Sequence, residues 1–379
     1  MTQVLPSTAS GQAPVLLEDP ATPGAAPHVQ HYPMSFTGQA GEYFRLWIVN
    51  TALTIVTLGV YLPWARVRQR QYFYGHTWLD GQNFEYTANP LALLRGYLAI
   101  GLAFGLYSLS TTLKFSGWEY VAGTLGVVYV LLYPWLVMKS LGFLAVSSVH
   151  RGLRFRHHAN TGQAYVAYGL ANIAAGLTAG LALPWAWYRQ RRYQVECAAY
   201  GSARATFRGD VGDFYVIGLV GVGLTVAGGL ILAALVGTLA LAGLGERVAV
   251  TSGLDNIALV GIAAAYLAIL AVYGVTWQYV RASTMRYVLN HVEVGGVVRV
   301  TATFRPWVVV WIAVSNAVVQ ALTLGLATPW AAVRRARYIT QEITVRAIAP
   351  LDEFASGSAV GESSLGEAAT ELLDINVGF

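Results

Sequence analysis

The sequence predicts an α-helical polytopic membrane protein. It contains three internal repeats, each with a Gly/Pro-broken helix and flanked by short cytoplasmic β-strands. Three observations carry this expectation. The chain has 379 residues, 55% of them apolar and only 11% charged, against about 25% charged in soluble domains. Four apolar runs, at about 91–112, 120–138, 214–244 and 257–279, reach the roughly 20 residues needed to cross a bilayer. A motif also recurs: NTALTIVTLGVYLPWARVRQRQY from Asn50 to Tyr72, NIAAGLTAGLALPWAWYRQRRY from Asn172 to Tyr193, and NAVVQALTLGLATPWAAVRRARY from Asn316 to Tyr338. Gly, Pro, Trp, Arg and Tyr keep fixed spacing in all three copies, which organises the chain.

Residues 1–30, rich in Ala, Pro, Gly, Ser and Thr and without Lys or Arg, are expected to be a disordered tail and hold no secretory signal. The membrane domain is expected over 31–349. Its repeats lie at about 31–90, 150–210 and 295–349, separated by helical hairpins at 91–138 and 214–279. Segments 33–37, 82–88, 152–157, 203–208, 297–304 and 343–348 alternate like strands. They are expected to pair as small cytoplasmic sheets, each repeat's first strand with its last or with a neighbour's, since exposed edges invite association. Residues 350–379, with six acidic side chains and no basic one, are expected to be a second disordered tail. The lone Cys197 excludes an internal disulfide, and no Cys/His cluster has zinc spacing.

Two membrane paths are open to the repeats. If all three span, making seven crossings, Lys and Arg distribute almost evenly between the two sides. If each dips in and returns, four spans remain, both termini are cytoplasmic, and only Lys114 and Arg247 of the 24 basic residues lie outside. The second path satisfies the positive-inside rule. It also gives the helix breaks at Gly59, Pro63, Gly180, Pro184, Gly325 and Pro329 a purpose. The apolar length of the third repeat favours the first path.

In each repeat the aromatic–basic set after the proline suits the headgroup layer. Trp64, Arg68 and Tyr72, Trp185, Arg189 and Tyr193, and Trp330, Arg334 and Tyr338 are therefore candidate contacts for anionic lipid or ligand. Asn50, Asn172 and Asn316 open the apolar runs. They are candidate inter-helix hydrogen bonders or, in a sharper reading, the polar lining of a cavity.

The stretch FRLWIVNTALTIVTLGVYLPWARVRQRQYFYGHTWLDGQNFEY resembles the opening of the YjgN-like family, bacterial multi-pass inner-membrane proteins carrying a domain of unknown function. The resemblance covers about residues 34–348, and its core is TLGxYxPWAxxRxRxY. The second repeat departs from that core with LTAGLALPWAW. The resemblance implies an inner-membrane location and brings no activity or catalytic residue.

Function is constrained mostly by exclusion. No GxSxG, HExxH or P-loop pattern is present, so neither an enzyme nor a cofactor or metal site is expected. The four runs lack Asp and Glu away from their ends, against proton-coupled transport through them. The leading reading is a transporter or channel for a small solute. The alternative is a structural or lipid-organising protein without transport activity. Expected partners are membrane lipids with anionic headgroups, a second copy of the chain, and a protein partner for the acidic tail. Nucleic acid is not expected.

Overall fold

The computed structural model describes residues 29–115, 117–239, 254–348, 350, 351 and 354. The two expected tails fall almost wholly outside these residues, as do Arg247 and most of the polar break around it.

The chain is built from five successive β-α-α-β units. The first runs β1 (Gln30–Phe36), α1 (Ala40–Val56), α2 (Leu62–Gly75) and β2 (Thr77–Leu79). The second is β3 (Gln82–Tyr86), α3 (Pro90–Leu113), α4 (Trp118–Val146) and β4 (Ser148–His150). In the third, β5 (Leu153–His157) leads into α5, which passes from an α segment (Thr161–Ala164) through a π segment (Tyr165–Leu170) to Ala171–Leu177. It closes with α6 (Leu183–Glu196) and β6 (Ala198–Tyr200). The fourth is β7 (Ala203–Phe207), α7 (Val211–Leu239), α8 (Leu254–Asn290) and β8 (Val292–Val294). The fifth is β9 (Val298–Ala302), α9 (Pro306–Leu322), α10 (Thr328–Gln341) and β10 (Ile343–Ala347).

The junctions are the same in every unit. The leading helix starts at the fourth residue after its strand ends (36 to 40, 86 to 90, 157 to 161, 207 to 211, 302 to 306), and the trailing strand starts two residues after its helix ends (75 to 77, 146 to 148, 196 to 198, 290 to 292, 341 to 343). One backbone hydrogen bond closes each neck. Thr37, Thr87, His158, Arg208 and Thr303 donate their amides to the carbonyls of His76, Ser147, Cys197, His291 and Glu342, at 3.0, 2.8, 2.7, 2.9 and 2.9 Å.

These findings correct the expected fold. The strands are not flanking pieces in small sheets: all ten close into one antiparallel barrel. Two-residue turns join the first four units, and the three residues 295–297 join the fourth to the fifth. Asp80–Gly81 and Arg151–Gly152 hold both residues at positive φ, Gly201 alone does so in the third turn, and Gly295 and Gly296 do so in the fourth. These are the primed turn geometries whose twist matches paired strands. The seam is β1 against β10, the first strand against the last. Of the expected repeat pairings, only β9 with β10 forms within a copy; β3 pairs with β2 and β4, and β7 with β6 and β8. Closure leaves no free edge, which strands of three to seven residues could not achieve as separate sheets.

All five helical hairpins leave the same end of the barrel and return to it. Among the described residues ten helices pack neighbour to neighbour, and α10 meets α1 to complete the ring. Four helices, covering 90–113, 118–146, 211–238 and 263–290, are long and apolar enough to cross a membrane by length and composition. The hairpins α1–α2, α5–α6 and α9–α10 are shorter. A 17-residue arm such as α1 rises about 25 Å at 1.5 Å per residue.

Candidate functional site

Each short hairpin turns at a left-handed pair: Leu58–Gly59, Ala179–Gly180 and Leu324–Gly325. The glycine amide reaches back to Thr54, Ala175 or Gln320 at 2.7, 2.8 and 2.7 Å, the six-to-one bond of a Schellman ending. Thr57, Thr178 and Thr323, two residues before each glycine, accept the amides of Tyr61, Ala182 and Ala327 at 3.0, 2.9 and 3.1 Å through Oγ1. Sequence reasoning missed these threonines, although TLG, TAG and TLG recur at the spot. In the first copy every amide from Thr57 to Leu62 has a partner, and Pro63 has no amide to satisfy. The turn is therefore a closed polar backbone dressed in apolar side chains, with Leu58 95% and Leu324 94% exposed.

The asparagines stay within their own hairpins. Asn316 is buried; its Nδ2 donates to Ala331 O at 3.1 Å, and its Oδ1 accepts from Arg334 at 2.9 Å. Asn50 is also buried, and its Oδ1 has no partner. Asn172 is exposed, donating to Tyr168 O at 2.8 Å and accepting from Gln190 at 2.9 Å. Counted from the turn glycine, Asn50 and Asn316 sit nine residues back, and nine before Gly180 is the buried Ala171, not Asn172. Only two of the three asparagines are thus equivalent, and none of them lines either cavity described below.

The aromatic–basic sets also divide. Arg68 is exposed over the Tyr61 ring at 5.7 Å, with Trp64 stacked on the same ring at 6.0 Å. Arg334 lies 5.2 Å over Trp330. Trp185 packs on Ala171, Ala175 and Ala186, and Arg189 is half-buried on the same helix. The tyrosines serve the necks: Tyr72 and Tyr338 accept the amides of Gln39 and Arg305 at 2.8 and 3.1 Å. Tyr287, outside the sequence motif, accepts the amide of Asp210 at 2.7 Å in the same way. Tyr193 lies beside the equivalent Asn160 and beside Cys197, and burial followed by the neighbouring Cys197 pushes its pKa up to about 12.

The residues that do converge lie on the axis, where the barrel meets the helix ring. A cavity of about 550 Å³ is lined there by side chains of α2, α4, α6, α10 and the strands, among them Tyr74, Ser148, His157, Gln194 and Thr340. That volume is typical of small-molecule sites. His157 Nε2 has no partner, and its pKa is lowered, first by burial and then by the charge of His158. Arg191 donates to Gln194 Oε1 at 2.7 Å on the cavity's rim. Arg191 is open to water, yet enough protein walls it that burial lowers its pKa; Tyr168 opposes that shift and Arg281 adds to it. Arg335, next to the cavity-lining Ala336, is lowered by burial and then by Arg281. A second hollow, about 370 Å³ on α4, is lined only by Gly123, Gly126, Val127, Val130 and Leu131.

The barrel's other mouth is filled by Leu351 and Phe354, which pack with Leu79, Val298 and Val345. Among the described residues no group of three or more His, Cys, Asp or Glu side chains could hold a metal ion.

A model of the family "Bacterial protein of unknown function (DUF898)" matches residues 31–372. The chain is 34% identical over 125 residues to "Inner membrane protein YjgN" of Salmonella typhimurium, a match covering 33% of this chain and 31% of that protein. It is 31% identical over 127 residues to the protein of that name from Escherichia coli O157:H7, covering 32% and 29%. The matched stretches thus span about a third of the length of these relatives. No solved structure matches the chain.

Proposed function

The chain belongs to the DUF898 family of bacterial proteins of unknown function, and we propose on that footing that it is a multi-pass inner-membrane protein passing a small solute along its central axis. The location is supported by the name of its relatives, inner membrane protein YjgN, and by the four apolar helices. The barrel lies in the cytoplasm and the three short hairpins dip into the bilayer without crossing it. Only Lys114, at the turn far from the barrel, and Arg247, between α7 and α8 in sequence, break the positive-inside pattern. The closed hydrogen bonding of the short turns suits backbone at membrane depth.

The observation that carries the transport reading is the 550 Å³ axial cavity, partly polar and set where two closed rings share an axis. With Leu351 and Phe354 in the barrel mouth, the path is shut at that end. The test is solute flux into liposomes holding the purified chain, compared with Ala336→Trp, which fills the cavity. Flux above empty liposomes that Ala336→Trp abolishes supports the path. Absence of flux from folded protein favours the lipid-organising alternative, for which the bare Leu58 and Leu324 tips are the specific support.

A further inference from the structure

We propose that the axial cavity is a binding site for a neutral, flat-ringed molecule, mostly apolar, with a hydrogen-bonding group that meets His157. The inference rests on the axial reading above and names its ligand class.

The lining supplies rings that are held in place by other rings. Phe36 and Phe73 both line the cavity and stack on each other at 5.8 Å. Tyr74 packs on Tyr86 at 5.4 Å, Phe84 on His150 at 4.4 Å and Phe155 on Tyr200 at 5.1 Å, and none of the three backing rings belongs to the lining. An aromatic wall fixed in this way offers faces and edges to a further ring, the offset and edge-on contacts that aromatic pairs prefer. Most polar side chains on the lining are turned to groups of the protein. Thr77 donates to Phe73 O at 2.8 Å and Ser148 to Leu144 O at 2.8 Å. Gln194 donates to the Tyr168 hydroxyl at 2.9 Å and accepts from Arg191 at 2.7 Å. Arg156, the charged residue on the lining, is not without a partner. An ion entering would lose its water without gaining a free counter-charge, which is costly. His157 differs from the rest. Its ring meets Tyr193 edge-on at 5.6 Å, and its Nε2 is enclosed with no hydrogen-bond partner. An enclosed polar atom left unpaired costs free energy, and a ligand hydroxyl, N–H or carbonyl placed there pairs with it, according to the tautomer. Burial lowers the pKa of His157, so the ring it presents is uncharged. Thr340 adds a hydroxyl from α10.

The probes are three molecules of similar shape: indole, indene, which lacks the N–H, and indole-3-carboxylate, which adds a charge. The full chain in detergent micelles is titrated with each by calorimetry. The Ala336→Trp protein, whose cavity is filled, gives the baseline for uptake by the micelle; if it fails to fold, Ala145→Phe on α4 fills the same cavity. The expected result is saturable indole binding above that baseline and no binding of the carboxylate. Indene binds more weakly by about fivefold, the worth of one neutral hydrogen bond. His157→Phe, which keeps a ring against Tyr193, lowers the affinity for indole to that for indene and leaves indene unchanged, whereas loss of a purely structural histidine weakens both alike. No binding above the baseline, carboxylate binding as tight as that of indole, or a preference for indole that survives in His157→Phe overturns the proposal. A lipid that co-purifies with the parent and not with the filled variant, without indole binding, overturns it in favour of an acyl chain. Saturable indole binding by protein that shows no liposome flux keeps the site and removes the path. Flux abolished by Ala336→Trp, with no binding of either neutral ring, keeps the path and overturns the ligand class.

Discussion

Arg334 donates to Asn316 Oδ1 at 2.9 Å and to Ser315 Oγ at 2.7 Å, tying the second arm of the last short hairpin to its first. In the first copy the same two residue types do not meet, since Arg68 lies on Tyr61 and Asn50 Oδ1 has no partner. Asn316→Ala strands a part-buried guanidinium, and losing a bond to a charged group costs about 1.5–3 kcal/mol. Asn172→Ala, at an exposed position, costs well under about 1 kcal/mol. Melting curves in one detergent check the order, and equal losses at the two positions would contradict it.

The turn threonines give a second expectation. Thr57→Val keeps the shape but leaves the Tyr61 amide without its acceptor. A buried amide without a partner costs about 1–3 kcal/mol. Thr57→Ser restores most of it. Thr178→Val and Thr323→Val behave alike, since the same bond recurs at 2.9 and 3.1 Å. A Thr57→Val protein as stable as its parent in lipid would remove the closed-turn argument for the dipping hairpins.

The turn glycines separate strain from space. A Cβ at Gly59 or Gly325 meets nothing within 4 Å, but φ is +91° and +87°. Alanine there costs about 1–2 kcal/mol from the left-handed backbone alone. Gly176 also has open space, lies within α5 and has no positive φ. Gly176→Ala therefore stabilises, by up to about 1 kcal/mol. Chemical denaturation of the three variants reads both signs.

The spans and the Gly–Pro breaks are legible because hydropathy and backbone restriction act locally. The barrel is not. Four of its strands are three residues long, too short for alternation to register, and closure depends on partners far apart in the chain. What repeats five times is the length of each junction. Of the longer hairpins, α7–α8 carries none of the Pro-Trp signature, whereas α4 holds Pro134–Trp135 with Lys139 five and Phe143 nine residues after the proline. The Asp80–Gly81 and Gly295–Gly296 turns were the available hairpin signals.

The proposed orientation, with the barrel in the cytoplasm, is checked by labelling. In intact cells Lys114→Cys, at the far turn, reacts with a membrane-impermeant thiol reagent, and Ser202→Cys, in the β6–β7 turn, does so only after lysis. Both positions are exposed and the native Cys197 is buried. Reaction of Ser202→Cys in intact cells would place the barrel outside.

The last expectation concerns acid. His150 is buried in β4, stacked on Phe84 at 4.4 Å, and Tyr200 donates to its carbonyl at 3.0 Å. Burial, and then the charge of Arg151, pulls its pKa down to about 4, whereas an unfolded histidine titrates near 6.5. Between those values the unfolded chain binds the proton and the folded chain does not. The neutral ring's contribution is therefore complete above about pH 6.5 and is lost as pH falls toward 4, on the order of 3 kcal/mol in full. His157 and His158 are lowered as well, each first by burial, so they push in the same direction. The protein is expected to melt lower at pH 5 than at pH 7.5, and His150→Gln to shrink that difference without abolishing it. A parent protein whose melting temperature is flat across the window would show that His150 is protonated, or solvated, within the folded barrel.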